Sequence, residues 1–378
     1  MKVLVAPQEL KGTLTGAEAG ACIARGLFAT LQGVEIETFP IADGGPGTVE
    51  MFVRATGADI VEVQAEDALG RFGPTTFAIH GQRAMIEMAA ASGLCRLFPA
   101  ELEPLRASTR GTGQLITAAL ERGCKELCIG LGGSATTDGG AGMLEALGAR
   151  FMAADGSWLS PGGGPLAGLE RVKLDRVLAK LQGVTVLALS DVRAPLLGPT
   201  GAAAVFAPQK GATPEEVKEL ETALARLHQV VLQQTGRDLA GEPGAGAAGG
   251  LGYGLLLAGA TMKDGFATLA ELCGLRERVR RADLVVTAEG RLDAQTAMGK
   301  ATASLATLAR QEGKPVVVLA GSIADGAPVD LFTFAEPIDP EGRQSRQLPS
   351  STDATAALLA AARRIAPRFL DLVPPKQD

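Results

Sequence analysis

Histidine and aromatic residues are scarce in this chain of 378 residues, which has only two histidines, one tryptophan and one tyrosine. Histidine zinc sites and serine–histidine nucleophile chemistry are therefore disfavoured, and a general base should be a carboxylate or a lysine. No apolar window is long enough to span a bilayer, and the first apolar run is too short for a signal peptide. The net charge of −6 disfavours a nucleic-acid binder, which usually has a basic face. These absences predict a cytoplasmic protein with neither membrane nor nucleic acid as a partner.

Cysteine is also sparse, and its spacing carries no metal or disulfide signature. The five cysteines form no CxxC pair and no cluster with histidine. An odd number without a secretion signal predicts reduced thiols in the interior. Cys124 and Cys128 stand four apart at the start of an apolar run, so we interpret them as packing residues.

Glycine, in contrast, is abundant, and polar or glycine-bearing loops follow the predicted strands at both ends of the chain. The first 45 residues predict a βαβ unit: a strand over 3–6, a helix capped by Thr15 and Glu18, and a strand over 34–39. Strands over 282–287 and 315–320 repeat this pattern near the C-terminus. We expect one doubly wound domain built from both ends, with ligands at the carboxyl edge of its parallel sheet.

The middle of the chain predicts a second domain, inserted into the first. It has predicted strands over 75–80, 84–89, 125–131 and 184–191 and a helix capped by Thr213 and Glu216. The glycine-rich run over 243–260 lacks Ser, Glu and Lys, which favours packed backbone over a flexible linker. The predicted fold is α/β: a discontinuous domain of residues 1–59 and 280–378, an inserted mixed α/β domain of residues 60–279, and an active-site cleft between them.

The loop GGSATTDGGAG, residues 132–142, is the first candidate site. It is neither a Walker A loop nor a GxGxxG dinucleotide fingerprint. It does lead from a strand to the start of a helix, where free N–H groups and the helix dipole favour an anion such as phosphate. A closely packed turn without a ligand is the alternative. The residues predicted to bind phosphate are Gly132, Gly133, Ser134, Thr136, Thr137, Asp138 and Gly139.

Acids and cations follow other predicted strands. Asp191 ends the strand over 184–191, and a loop braced by proline and glycine, with Arg193 and Lys210, comes after it. This aspartate is a candidate functional carboxylate, although an aspartate at a strand end also caps turns and helices. Lys11 and Asp43 follow the two strands of the first βαβ unit.

The segment AEGRLDAQTAMGK, residues 288–300, adds a second acidic group. Glu289 and Asp293 are of the ligand type that Mg²⁺ prefers, whereas Arg291 and Lys300 suit a phosphate or a substrate carboxylate. A surface ion-pair cluster is the alternative. Glycine loops, acids and cations together match the needs of phosphoryl transfer. The residues alone thus predict a nucleotide-dependent small-molecule kinase, and a nicotinamide-dependent dehydrogenase lacks its fingerprint.

Eight stretches of the chain resemble the bacterial family of ATP-dependent glycerate kinases. In chain order, from residue 6 to about residue 301, they are APQELKGTLT, ADGGPGTVE, IEMAAASGL, STRGTGQLI, GLGGSATTDGGAGMLEALG, SDVRAPLLGPTGAAAVFAPQKGAT, PGAGAAGGLGYGLL and TAEGRLDAQTAMGKA. The resemblance implies two α/β domains, the discontinuous one flavodoxin-like. It also implies phosphorylation of glycerate with ATP and Mg²⁺, with 2-phosphoglycerate favoured over 3-phosphoglycerate and a homodimer as one option for assembly.

Given this resemblance, the candidate residues receive roles as hypotheses. Asp191 or Asp43 accepts the hydroxyl proton, and Lys11 or Arg291 pairs with the glycerate carboxylate. The catalytic candidates are Asp191, Asp43 and Lys11, the substrate ligands are Arg291, Lys300 and Gln295, Lys210 joins the phosphate ligands, and the metal ligands are Glu289 and Asp293.

The chain departs from the usual family motifs, PDSFKGS, ADGGEGT, CDVDNPL and TGEGRxDxQTxxGK, at several loop positions. The notable changed residues are Gln8, Glu9, Pro46, Arg193, Ala194 and Met298. Because these changes lie at the predicted cleft, they favour as an alternative a weakened or inactive homologue that binds a small hydroxy acid or a nucleotide. The retained acids and lysines favour a working catalyst.

Overall fold

The computed structural model describes residues 1–10, 12–294, 296, 301–339 and 351–373. The chain divides into two compact units: a first unit of residues 1–43 and 266–378, and a second unit of residues 44–265. These divisions replace the predicted boundaries at 59/60 and 279/280. Residues 44–59 belong to the second unit because their helix packs on its sheet, with the buried Phe52 ring edge-on to His80 at 6.5 Å.

The strands and helices are numbered in chain order. The strands are β1 (Lys2–Val5), β2 (Glu35–Thr38), β3 (Asp59–Glu66), β4 (Phe72–His80), β5 (Arg83–Glu87), β6 (Glu126–Gly130), β7 (Arg150–Met152), β8 (Arg171–Lys173), β9 (Thr185–Leu189), β10 (Thr261–Lys263), β11 (Leu284–Glu289), β12 (Val316–Ala320) and β13 (Phe334–Pro337). The helices are α1 (Gly16–Phe28), α2 (Thr48–Thr56), α3 (Ala89–Ser92), α4 (Arg110–Glu121), α5 (Ala141–Ala146), α6 (Asp175–Lys180), α7 (Ala202–Phe206), α8 (Pro214–Thr235), α9 (Ala247–Leu257), α10 (Gly265–Leu272), α11 (Leu275–Arg281), α12 (Ala301–Gln311), α13 (Ser351–Ile365) and α14 (Phe369–Leu372).

The first unit contains a five-stranded parallel sheet in the order β2-β1-β11-β12-β13. This is the strand order of flavodoxin, and it confirms the predicted doubly wound α/β fold. The connections reverse direction between β1 and β11, so the topological switch point lies there. The fully buried β12 reads VVVLA, a continuous apolar run typical of a central parallel strand.

Local signals set the helices of the first unit. The predicted capping box is present at α1: the N–H of Glu18 donates to the Thr15 hydroxyl, and the N–H of Thr15 donates to the Glu18 carboxylate. Gly26 lets α1 approach α13, since a Cβ there would lie 2.6 Å from that of Ala362. The capping box therefore sets where α1 begins, and Gly26 sets how closely it packs against α13.

The second unit contains a mixed six-stranded sheet in the order β10-β9-β6-β5-β4-β3. The strands β5, β6, β9 and β10 run parallel, so their carboxyl ends share one edge, whereas β3 and β4 are antiparallel. The long edge strand β3 is absent from the sequence prediction because most of its side chains are exposed or half-buried. Cys124 and Cys128 are buried, as predicted for packing residues, whereas Cys95 is exposed, against the expectation that the thiols lie in the interior.

The glycine-rich run over 243–260 forms packed backbone in the second unit, as predicted. It folds into α9, which begins with Ala248, Gly249 and Gly250 in left-handed conformations with φ of 53°, 67° and 87°. The predicted capping box of Thr213 and Glu216 starts α8. In the described ranges, no helix has both the length and the apolar character that crossing a bilayer requires.

Candidate active site

The carboxyl edge of the first unit's sheet brings together loops that are far apart in sequence. The N–H of Gln8, after β1, donates to the carbonyl of Ala288 in β11 at 3.1 Å. The side-chain amide of Gln8 donates to Oδ2 of Asp43, after β2, at 3.2 Å. The half-buried Asp43 carboxylate thus lies beside the topological switch point, which is where open α/β sheets bind their ligands.

The end of β11 adds two more carboxylates to this edge. Glu289 is 5% exposed, and the Thr296 hydroxyl donates to its Oε2 at 3.3 Å. Asp293 lies in the following loop, where its Oδ2 is 3.3 Å from Nε of Arg291. The loop thus contains the ion pair considered above, and it also supplies carboxylate oxygens of the type that hold Mg²⁺ together with substrate phosphates. Among the described residues no cluster of three acidic, histidine or cysteine side chains is found.

Four of the residues predicted for this site lie beyond what the structure describes. Lys11, Gln295, Met298 and Lys300 lie outside the described residues. Their predicted roles therefore remain predictions from the sequence.

At the carboxyl edge of the second unit's sheet, Asp191 follows β9. Its Oδ1 accepts a hydrogen bond from the N–H of Gly265 at 2.7 Å, which ties the end of β9 to the segment after β10. Asp191 is half-buried, and Arg193 in the same loop is exposed. The capping interaction expected of an aspartate at a strand end is thus present, and it engages one carboxylate oxygen.

The loop over residues 44–47 packs on the strand ends of β6 and β9. The N–H of Gly132 donates to the carbonyl of Gly44 at 2.9 Å. A Cβ at Gly132 would lie 2.4 Å from the Cα of Gly45, and one at Gly130 would lie 2.4 Å from the carbonyl oxygen of Gly44. Close approach of two backbone segments therefore explains these glycines, independently of any ligand.

The glycine loop over residues 132–142 divides into an accessible and a buried part. Gly133 is exposed and Gly132 half-buried, whereas residues 134–142 are buried. Binding of phosphate at the start of α5 stays a prediction, and the group found at its N–H groups is the chain's own Asp138. Its carboxylate accepts hydrogen bonds from the N–H groups of Gly140 and Gly142 at 3.0 and 3.2 Å.

Packing accounts for the remaining buried members of this loop. A Cβ at Gly139 would lie 2.4 Å from the Leu227 side chain, so the loop contacts α8 directly. The hydroxyls of Thr136 and Thr137 are buried and have no hydrogen-bond partner among the described residues. Gly139, Thr136 and Thr137 are therefore buried against protein, Ser134 is 7% exposed, and Gly132 and Gly133 are the accessible members of the loop.

Lys210, predicted to be a phosphate ligand, is buried at 1% exposure. Its Nζ donates to the carbonyl oxygen of Thr136 at 2.5 Å. Burial lowers the pKa of Lys210 to about 7, and the charge of Asp138 opposes this shift. Burial raises the pKa of Asp138, while hydrogen bonds from Thr109, Gly142 and Gly140 oppose the rise. Lys210 thus contacts the glycine loop from the protein side.

Comparison with known proteins identifies the family of this chain. The family model described as "Glycerate kinase family" matches residues 3–368. The chain belongs to the glycerate kinase family. It is 42% identical over 327 residues to a glycerate kinase of Bacillus subtilis (strain 168), a match that covers 86% of each chain. It is 39% identical over 333 residues to a glycerate 2-kinase of Escherichia coli (strain K12), which covers 87% of each.

A solved structure supports the same assignment. The crystal structure of a Salmonella typhimurium LT2 protein, described as a glycerate kinase 2, superposes with a TM-score of 0.80 at 36% identity, covering 98% of both chains. The family predicted from the motifs is confirmed, and the chain is a kinase of the glycerate kinase family.

Two of the departures from the family motifs have defined surroundings in this glycerate kinase family member. Gln8 donates to Asp43, where the usual motif has an aspartate that would place a second carboxylate beside it. Pro46 lines a cavity of about 370 Å³ in the second unit. The other lining residues are Glu62, Pro74, Thr75, Thr76, Glu87, Ala89, Ala90, Cys95 and Arg96. Each change therefore replaces the carboxylate of the usual motif, with an amide at Gln8 and with an apolar ring at Pro46.

Sequence reasoning missed residues that hold the site acids. The Thr296 hydroxyl, in the loop after β11, donates to Glu289 at the end of β11. The Gln8 amide, after β1, donates to Asp43, after β2. Glu87, which accepts from the N–H of Val49 at 2.7 Å, was also unassigned. Gln8 lies in the loop after the strand predicted over 3–6 and Glu87 inside the strand predicted over 84–89, whereas Thr296 stands far beyond the strand predicted over 282–287, where no local signal marks it.

Proposed function

We propose that this protein transfers a phosphoryl group from ATP to glycerate and forms 2-phosphoglycerate. The observation that carries the proposal is that Asp43, Glu289 and Asp293 stand at or after strand ends on the carboxyl edge of a flavodoxin-like sheet in a member of the glycerate kinase family. Relatives named glycerate kinase and glycerate 2-kinase support glycerate as the phosphoryl acceptor, and the second name supports the 2-hydroxyl as the group that is phosphorylated.

In this proposal, the residues hold the reactants and move one proton. Asp191 or Asp43 accepts the proton of the attacking hydroxyl, because each carboxylate follows a strand at a carboxyl edge. Arg291, whose guanidinium is mostly exposed, or Lys11 pairs with the glycerate carboxylate, with Gln295 and Lys300 as further ligands. The accessible backbone at Gly132 and Gly133, with the adjoining Ser134, lies against the nucleotide phosphates.

The carboxylates at the end of β11 fit a magnesium ion. Mg²⁺ in kinases is usually held by one or two carboxylates together with substrate phosphates, and Glu289 and Asp293 offer this donor set. When bound, the ion would neutralise phosphate charge as the reaction proceeds. The Thr296 hydroxyl holds the Glu289 carboxylate in place for that role.

Phosphorus NMR of the purified protein with Mg²⁺, ATP and D-glycerate tests the proposal. We expect a new phosphomonoester signal at the position of 2-phosphoglycerate. A signal of 3-phosphoglycerate would overturn the regiochemistry, and intact ATP would overturn the activity. In the last case, thermal-shift titrations with ATP and with glycerate would identify a ligand-binding homologue without turnover, and Pro46 and Arg193 would be the first residues to restore. Cytoplasmic location and a homodimer stay predictions from the sequence.

A further inference from the structure

Lys210 is the one lysine that is buried among the residues the structure describes. Its Nζ lies 2.5 Å from the carbonyl oxygen of Thr136, in the buried part of the glycine loop. Transferring an amine from water to the protein interior is unfavourable unless it is hydrogen-bonded or paired with a charge. A buried lysine whose amine is aimed at a backbone carbonyl therefore needs a reason beyond packing.

The loop segment that Lys210 contacts has few side-chain anchors of its own. The hydroxyls of Thr136 and Thr137 are buried without a hydrogen-bond partner in the described part of the chain. The Thr136 carbonyl and the Thr137 Cα lie instead against the left-handed backbone at Gly249, where a Cβ would lie 1.9 Å from the Thr136 oxygen. The Thr136 carbonyl is thus held by the Lys210 amine on one side and crowded by Gly249 on another.

Asp138 completes the attachment of the loop. Besides capping α5, its carboxylate accepts from the N–H and the hydroxyl of Thr109 at 2.7 and 2.9 Å. It is fully buried, and its charge acts on Lys210. Thr136 and Asp138 are therefore both held by hydrogen bonds, and the accessible residues Gly132 and Gly133 lie a few positions before them in the same loop.

We propose that Lys210 is a positioning residue: by fixing the Thr136 carbonyl from inside the protein, it sets the conformation of the accessible loop residues Gly132 and Gly133, which receive phosphate. Its attachment to the loop stands on geometry alone, whereas the effect on phosphate binding rests on the proposed function. Lys210 stays out of contact with the nucleotide. This assigns the lysine of the PQKGAT segment a role different from that of a phosphate ligand.

Hydrogen exchange of the ligand-free protein tests the attachment independently of activity. In Lys210→Met, which keeps the length and apolar character of the stem, we expect peptides that cover residues 131–138 to exchange about tenfold faster, while peptides of the first unit keep their rates. Lys218→Met, at an exposed position of α8, is the matched control and should leave the loop unchanged. Equal exchange in Lys210→Met and the wild type would overturn the proposal.

Kinetics distinguish positioning from direct contact. For Lys210→Met we expect the KM for ATP to rise about tenfold or more while the KM for glycerate changes less than about twofold. If the loop exchanges faster in Lys210→Met but the wild type has no kinase activity, the attachment of Lys210 to the loop is supported and the proposed function is overturned. Unchanged KM for ATP in a variant with faster loop exchange would overturn the positioning role.

A measurement on the wild type covers the case in which Lys210→Met does not fold. In protein labelled with ¹⁵N-lysine, the side-chain amine of Lys210 should be recognisable by its slow exchange with solvent. We expect its resonance to stay in place when ATP and Mg²⁺ are added to saturation. A large shift on nucleotide binding would make Lys210 a direct phosphate ligand and overturn the proposal.

Discussion

Two aspartates show how surroundings separate residues that look alike in sequence. Asp43 and Asp138 both lie in glycine-bearing loops after strands. Asp43 is half-buried and receives one amide hydrogen bond from Gln8, whereas Asp138 is fully buried and accepts hydrogen bonds from Thr109, Gly140 and Gly142. The first can meet a substrate, and the second holds the chain together. Their sequence contexts alone do not distinguish these roles.

Asp191→Asn tests the general base at the residue scale. Asparagine keeps an oxygen acceptor for the N–H of Gly265, so the fold should persist, but it cannot accept the hydroxyl proton. We expect kcat to fall about a hundredfold or more, measured by coupled ATP turnover. The control is Asp155→Asn in an exposed turn, which should turn over normally. Near-normal activity of Asp191→Asn would transfer the base role to Asp43.

The buried amine of Lys210 should make stability depend on pH. Its folded-state pKa of about 7 lies below the ordinary value of 10.5, so between these values the unfolded chain binds more protons. The free energy of unfolding should therefore rise as the pH increases above about 7. Lys210 contributes at most about 1.4 kcal/mol per pH unit to this rise, and below about pH 7 it contributes no pH dependence. Urea denaturation of the wild type and Lys210→Met between about pH 6 and 9 measures this. Parallel curves for the two proteins would contradict it, and Lys218→Met should follow the wild type.

At the scale of elements, the predictions succeeded where a local signal sets the structure. The helices α1 and α8 start at the capping boxes of Thr15 and Thr213, because a side chain and a backbone N–H three residues apart satisfy each other locally. The strands β3 and β13 were missed, because neither contains a buried apolar run: both are edge strands whose side chains are mostly half-buried or exposed. Their existence depends on a neighbouring strand.

Two glycines test the packing of α9 against the glycine loop. Gly249 and Gly259 both have positive φ, but a Cβ at Gly249 would lie 1.9 Å from the Thr136 carbonyl oxygen, whereas nothing lies within 4 Å at Gly259. Gly259→Ala should cost about 1–2 kcal/mol of unfolding free energy through backbone strain alone. Gly249→Ala should cost about 3 kcal/mol or more because the backbone must also move. Urea denaturation at one pH compares them, and equal losses would contradict the contact.

At the scale of the whole molecule, two units each contribute a carboxyl edge with candidate residues. The first contributes Asp43, Glu289 and Asp293, and the second contributes Asp191 and the accessible glycines. The predicted cleft between two domains stays a prediction. Within each unit, a parallel arrangement of strands collects loops from distant parts of the chain at one edge, where they can act together.

Removal of magnesium tests how the whole protein binds nucleotide. Ligand that binds only the folded state raises the free energy of unfolding, by about 2.7 kcal/mol at a concentration a hundredfold above Kd. We expect ATP with Mg²⁺ to raise the melting temperature and ATP with EDTA to raise it much less, with turnover lost in EDTA. An equal thermal shift in both conditions would show that nucleotide binding does not need the metal.

The sequence by itself determined the family, the α/β class, the capped helices and the group of candidate residues, because these depend on periodicity, capping and motifs read along the chain. Only the tertiary structure decided which members of the glycine loop are accessible, that Asp138 supplies the anion at the start of α5, and that Lys210 approaches the loop from inside. Burial and hydrogen-bond partners come from segments far apart in sequence, such as Gly249 against Thr136 and Gln8 against Asp43. A local sequence pattern therefore does not predict these partners.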